Sequence, residues 1–403
     1  MAEDQKELTD KSKEHGYSNV VIAGLVSLFT DIGSEMIVPV LPLFLVGSLH
    51  ASTALVGLIE GIAETTASLL KVFSGWLSDK AGRRKPLMLS GYALSNLARP
   101  LFGLATGWGQ VLAIKFTDKV GKGLRTAPRD ALLADSARDG QTGKAFGLHR
   151  AMDTLGGALG PLLAFVLLGY FGSDYQQVFF WTLVPGTIAI LLIIFGVKDV
   201  RPAVKMDSRA PELGFAGLGK DFLIFSLIST LFALGNSSDA FLILRARDLG
   251  LAIALVPLAY FTFNLTYSIL SYPLGALSDR VGKKPLLVLG FVIFGLVYLG
   301  FGLARSSWQV WALFIIYGLY CALTEGIQRA FVADLVPEGK RGMAMGTFNA
   351  LIGLAALPAS VIAGYLWKLS GPLATFSFGS AMAFLAAGLL LIAMRRKPEQ
   401  PLC

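Results

Sequence analysis

Charge is scarce in this sequence. Only 15% of its 403 residues are Asp, Glu, Lys or Arg, 54% are hydrophobic, and mean hydropathy is +0.63. A soluble globular chain carries about a quarter of its residues as charges, so a soluble enzyme of this length is excluded. Cysteine is also scarce. Cys321 sits in an apolar run and Cys403 is the last residue, so both read as free thiols and no disulfide framework is expected. His15, His50 and His149 are scattered, which argues against a zinc site, and no metal is expected. No cleavable leader precedes the apolar runs; residues 1–17 are polar and read as a cytoplasmic tail. A nucleotide loop is missing too: Gly121–Thr126, GKGLRT, lacks the required glycine spacing and a preceding strand. No nucleophile–base constellation is visible, so neither an enzyme nor a cofactor is expected.

What is abundant is long apolar sequence. About 20 such residues cross a bilayer as a helix, and lipid admits only helices or closed barrels. These runs are too continuous for barrel strands. The expected fold is therefore an all-α polytopic membrane protein with twelve spans, near 18–46, 53–77, 86–106, 108–134, 145–170 and 177–197, then 220–245, 252–277, 285–304, 308–334, 342–367 and 373–394. Two six-helix bundles, 18–197 and 220–394, flank a linker at 198–219 that holds Pro202 and Pro211; residues 395–403 form a second tail.

Loop charge sets the orientation. Lys80, Arg83, Arg84, Lys85, Lys198, Arg201, Arg280, Lys283, Lys284, Arg395 and Arg396 lie on the side of the N-terminus, with Arg245, Arg247, Arg305 and Lys368 opposite. The positive-inside rule then puts both termini in the cytoplasm of a bacterial inner or plasma membrane. This explains most of the +8 net charge without nucleic acid. The halves also repeat: GWLSDKAGRRKPL at 75–87 returns as GALSDRVGKKPLL at 275–287, pairing Asp79 with Asp279. Duplicated bundles of this kind hold substrate at their interface near the membrane midplane.

Charge inside the spans is rare and therefore informative. Span one has Asp31 and Glu35, four apart and on one helix face, before Pro39 and Pro42. Span two has Glu60, Glu64 and Lys71 within an arc of roughly 40°. In span four, Lys115, Asp118, Lys119, Lys122, Arg125, Arg129 and Asp130 share roughly 140° of the wheel. That stretch is an amphipathic membrane helix. Structural ion pairing between helices is the alternative to a proton or substrate role. Basic residues, with Arg150 of span five, outnumber nearby acids such as Asp153, which favours an anionic or zwitterionic cargo. Arg99 lies toward the end of span three and reads as snorkelling outward. The second bundle offers Asn236 and Asp239, Tyr260 and Asn264, and Tyr317 and Glu325, a set suited to an amphipathic organic ligand.

Two motifs carry a resemblance. Gly75, Asp79, Gly82, Arg83, Arg84 and Lys85 between spans two and three match the signature loop of the major facilitator superfamily, repeated at Gly275–Lys284. Gly147, Gly156, Gly160 and Pro161 of span five resemble the antiporter motif of its twelve-helix drug–proton exporters, although Ala164-Phe165 stands where Gly-Gly is usual. Lys115 stands where the family's span-four motif has an Arg.

The resemblance implies alternating access with Asp79, Arg129 and Asp279 in a gate. Asp31, Glu35, Glu64 and Asp118 are the proton-coupling candidates. Lys115, Lys122, Arg125, Arg150, Asp153, Asn236, Asp239, Tyr260, Asn264, Tyr317 and Glu325 are the candidate cavity residues. The expected activity is proton-coupled export of a small amphipathic compound by a monomer in the lipid bilayer, with protons and the small molecule as its partners. Uptake of an organic anion by symport and export of a metal or metal chelate are the alternatives.

Overall fold

The structure is a computed structural model that describes residues 2–81, 84–136, 142–198, 217–337 and 340–393, with side chains described from Ser18 onward and not for a few residues within helices. Among the described residues there is no strand. The first bundle is built from α1 (Ala2–Ile37), α2 (Leu41–Gly47), α3 (Thr53–Ala81), α4 (Lys85–Ala98), α5 (Trp108–Ser136), α6 (Thr142–Tyr170), α7 (Tyr175–Trp181) and α8 (Leu183–Gly196). The second is built from α9 (Lys220–Gly235), α10 (Ala240–Asp248), α11 (Leu255–Val281), α12 (Lys283–Leu303), α13 (Ser307–Asp334) and α14 (Arg341–Ala393).

Several of these elements are halves of one rod, and the breaks have local causes. Pro39 and Pro42 interrupt the ladder between α1 and α2. After α4, Pro100 tightens the chain into a 3-10 turn over Arg99–Leu104. Asn236–Asp239 separates α9 from α10. Conversely, α14 is two rods joined at Gly371, whose φ of 80° only glycine adopts readily, followed by Pro372. Counted as rods, the elements reproduce the expected pair of bundles.

Eight stretches among the described residues, one of them running through both halves of α14, are long and apolar enough to cross a membrane. Three rods are absent from that set: α4, which Pro100 cuts short, α5, which carries many charges, and α11. The backbone of α1 runs from Ala2, so the expected tail continues the first span as helix; its Glu, Gln, Lys and Leu residues are strong helix formers.

The bundles meet along two seams. Along the first, a Cβ on Gly57 would strike the Ser360 carbonyl and one on Gly61 would stand 2.8 Å from Leu357 Cα, so α3 and α14 touch backbone to backbone. Thr65 Oγ1 donates to the Gly353 carbonyl at 2.7 Å on the same seam. Along the second, Asn264 of α11 donates to the Gly157 carbonyl of α6 at 3.3 Å.

Candidate functional site

The charged stretch of α5 is the hub of the first bundle. Lys115 donates to Glu60 and Lys119 to Glu64, two rungs of one ladder to α3. The match follows from spacing, since each helix offers its charges four residues apart on one face. On its other flank Asp118 accepts from Arg99 Nε at 2.9 Å. Arg99 also donates through Nη1 to the Thr30 carbonyl and to Asn96 Oδ1, both at 2.8 Å. Nearby, the Arg125 guanidinium lies 4.5 Å from the Tyr92 ring centroid.

This geometry corrects three expectations. Arg99 does not snorkel: it is 1% exposed and ties α4 to α1 and α5, because the Asp118 carboxylate and the Thr30 carbonyl both accept from it there. Arg125 is 3% exposed and faces α4, not the substrate cavity, since Tyr92 supplies a π face for it. Lys115 is a rung of the ladder to α3 and not an open cavity wall. Glu64 and Asp118, read as proton-coupling candidates, are likewise engaged in ion pairs. Lys122 has no ion pair or side-chain hydrogen bond among the described residues.

A second group of charges lies where α6 crosses α1. A Cβ on Gly156 would stand 2.5 Å from the Leu28 carbonyl oxygen and 3.1 Å from Asp31 Cβ. One turn on, a Cβ on Gly160 would stand 2.6 Å from Glu35 Cβ. The small residues of span five therefore bring α6 onto the two carboxylates of span one. Asp153, one turn before Gly156, stands at the same crossing, within electrostatic reach of Asp31. It accepts from Ser27 Oγ at 2.7 Å and from Arg150 Nη1 at 3.1 Å. Arg129 donates to Asp130 through Nε at 3.0 Å and to Ser27 Oγ through Nη1 at 3.4 Å. Ser27 was legible in principle, because it shares a helix face with Asp31 four residues on.

In the second bundle Asp239 sits at the break between α9 and α10. Tyr317 donates to its Oδ1 at 2.8 Å and Tyr260 to its Oδ2 at 3.1 Å. Both tyrosines are buried, so they hold Asp239 and do not form an open cavity wall. Asn236 donates to the Tyr320 hydroxyl at 3.0 Å. Across the seam, Arg150 Nη2 donates to the Tyr267 hydroxyl at 3.2 Å, and that hydroxyl donates to Glu325 Oε2 at 2.8 Å.

Arg150, Asp153, Tyr267, Glu325, Asp279 and Arg329 line a partly open cavity of about 1180 Å³ between α5, α6, α11 and α13. His149 is also in its wall, 5% exposed, with Nε2 lacking a hydrogen-bond partner. At the opposite end of the molecule α2 and α10 meet: a Cβ on Gly47 would stand 2.9 Å from Arg247 Nη1.

Of the signature loop, Gly75 and Asp79 fall within the backbone of α3, but their side chains, and Gly82 and Arg83 entirely, lie outside the described residues. Gly147 and Pro161 are both within α6.

Comparisons with known proteins come from three directions. A family model described as the Major Facilitator Superfamily matches residues 23–244 and again 222–402. An uncharacterized MFS-type transporter of Methanocaldococcus jannaschii is 36% identical over 97% of this chain and 98% of its own. The multidrug resistance protein MdtG of Serratia proteamaculans is 26% identical over 74% of this chain and 75% of its own. Among solved structures, the nucleoside transporter NupG superposes with a TM-score of 0.75 at 12% identity, covering 94% of this chain and 99% of that one.

Proposed function

The chain belongs to the major facilitator superfamily and is a membrane transporter by that membership; on that premise we propose that it exports a small amphipathic anionic compound in exchange for protons. Movement is by alternating access of the two bundles, in a cell membrane with both termini cytoplasmic. The cavity beside α6 and α13 is then the cytoplasmic mouth, and the meeting of α2 and α10 is the closed outer end.

The observation that carries the proton reading is the gathering of Asp31, Glu35 and Asp153 where α6 crosses α1. A like charge close by disfavours ionisation, so carboxyl groups crowded together take up protons more readily than isolated ones. The group sits where Gly156 lets α6 touch α1, so a small rocking of α6 changes its surroundings. Glu35 lies one turn on, without a side-chain hydrogen bond or ion pair among the described residues. A carboxyl group whose surroundings alternate can take up a proton on one side and release it on the other. The anionic reading rests on Lys122, a cation inside the bundle that forms no direct ion pair among the described residues. The export direction follows the relatives named as multidrug resistance proteins.

Everted membrane vesicles from an expressing host test this reading. At least one organic anion should accumulate in them, and a protonophore should abolish the accumulation. Accumulation that ignores the protonophore would contradict proton coupling, and accumulation only of neutral or cationic compounds would contradict the anionic reading.

A further inference from the structure

The cavity beside α6 and α13 has two kinds of wall. Its volume of about 1180 Å³ lies above the roughly 300–1,000 Å³ of a drug-sized pocket. With both termini cytoplasmic, α6 leads away from the cytoplasm, and α11 and α13 lead back toward it. The deepest lining residue on each of these helices is apolar: Ala158 on α6, Leu265 on α11 and Ala322 on α13. Arg150, Tyr267 and Glu325 line the same cavity nearer the cytoplasm. The cavity is therefore polar at its mouth and apolar at depth. A bilayer leaflet arranges an amphiphile the same way, with the head at the surface and the chain toward the midplane.

The apolar wall also turns outward. Leu155 lies five residues beyond Arg150 on α6, about 140° round the helix, and is 51% exposed. On α11, Leu265 is exposed and Tyr272 is 86% exposed, and both line the cavity. On the inner side the wall holds the buried His149. One cavity thus runs from inside the molecule, past the contact between Arg150 and Tyr267, to side chains on the outer surface of α6 and α11. In a bilayer that surface meets lipid. Gly326 of α13 also lines the cavity, and a Cβ there would meet nothing within 4 Å.

Arg150 is placed to take a head group. Its Nη1 donates to Asp153 and its Nη2 to a neutral hydroxyl, that of Tyr267. An anion in place of that hydroxyl makes the second bond charge-assisted at both ends, roughly twice as strong as a neutral one. Tyr267 keeps Glu325 as its own acceptor. Asp153, Asp279 and Glu325 share the wall with its arginines, so the site favours one negative charge over several. From Arg150 to Ala158 is roughly 12 Å along the helix axis, within the reach of a decyl chain.

Resting on the anionic-cargo reading above, we infer that the cargo is a single-chain amphiphile that enters sideways from the cytoplasmic leaflet between α6 and α11. Its anionic head lies at Arg150 and its chain along Leu155, Ala158 and Leu265. The test uses the purified full chain in phosphatidylcholine nanodiscs and a decyl sulfonate with a diazirine at the end of its chain. After illumination, labelled peptides are mapped by mass spectrometry. Label should fall on residues 155–158 and on Leu265, and it should saturate with probe. Decanesulfonate should displace it, and butanesulfonate and decyltrimethylammonium should not. Arg150→Gln should raise the half-displacing concentration of decanesulfonate by about tenfold. Gly326→Phe puts a ring into the open space of the cavity and should remove the saturable label, with an unfolding midpoint close to the wild type.

Even, unsaturable label over every outer helix face would mean ordinary lipid contact only and would overturn the proposal. Butanesulfonate displacing as well as decanesulfonate would overturn the chain and leave the anionic reading standing. Decyltrimethylammonium displacing as well would overturn the anionic head and the reading beneath it. Saturable label unchanged in both variants would overturn the site.

Discussion

Arg99 and Asp118 form an ion pair 2.9 Å long in which the arginine is 1% exposed, at the junction of α4, α1 and α5. Removing one member of a buried pair leaves an uncompensated charge, worth about 3–5 kcal/mol, whereas replacing both with apolar residues costs far less. Arg99→Met alone and Asp118→Leu alone should each lower the denaturation midpoint of the purified protein sharply, and the double variant should recover much of the loss. Additive losses in that double-mutant cycle would show that the two residues do not act as a pair.

The fold was legible because its signals are long: apolar runs, loop charge and a repeat that pairs Asp79 with Asp279. The ladder between α3 and α5 was half legible, since Glu60, Glu64, Lys115 and Lys119 each share a face with a partner four residues away, but the register between the two helices is a tertiary fact. Arg99 was misread because position along a span says nothing of which way a side chain faces, and its partners lie on α1 and α5. The same limit applies to Arg125 and Tyr92. Likewise Tyr260 and Tyr317 read as ligand-binding aromatics, and only the break at Asp239 shows what their hydroxyls serve.

Gly156 and Gly157 are adjacent in α6 and offer an internal control. A Cβ at Gly156 meets the Leu28 backbone at 2.5 Å, while one at Gly157 meets nothing within 4 Å. Gly156→Ala should cost about 1–3 kcal/mol of stability by overpacking and reduce transport. Gly157→Ala should stay within about 0.5 kcal/mol of the wild type and transport normally. Equal behaviour of the two in thermal unfolding and in vesicle uptake would mean that α6 does not press on α1 at this point.

Asp239 accepts a hydrogen bond from each of two tyrosines on different helices. Tyr317→Phe and Tyr260→Phe should each lower stability by about 1–3 kcal/mol, the cost of leaving a buried acceptor short of a donor. In the Asp239→Leu background the same Phe substitutions should cost much less. Chemical denaturation of the six proteins compares these directly, and Phe substitutions that cost as much in both backgrounds would detach the tyrosines from Asp239.

Proton coupling is the central claim, and one paired measurement in proteoliposomes tests it most directly. A labelled anion identified in the vesicle assay is followed in two modes: net accumulation driven by a pH gradient, and counterflow against unlabelled anion with no gradient. Asp31→Asn and Glu35→Gln bear on the carboxyl groups that Gly156 and Gly160 bring under α6. At least one of the two variants should keep counterflow near the wild-type rate and lose gradient-driven accumulation. Gradient-driven accumulation that survives in the double variant would contradict the account.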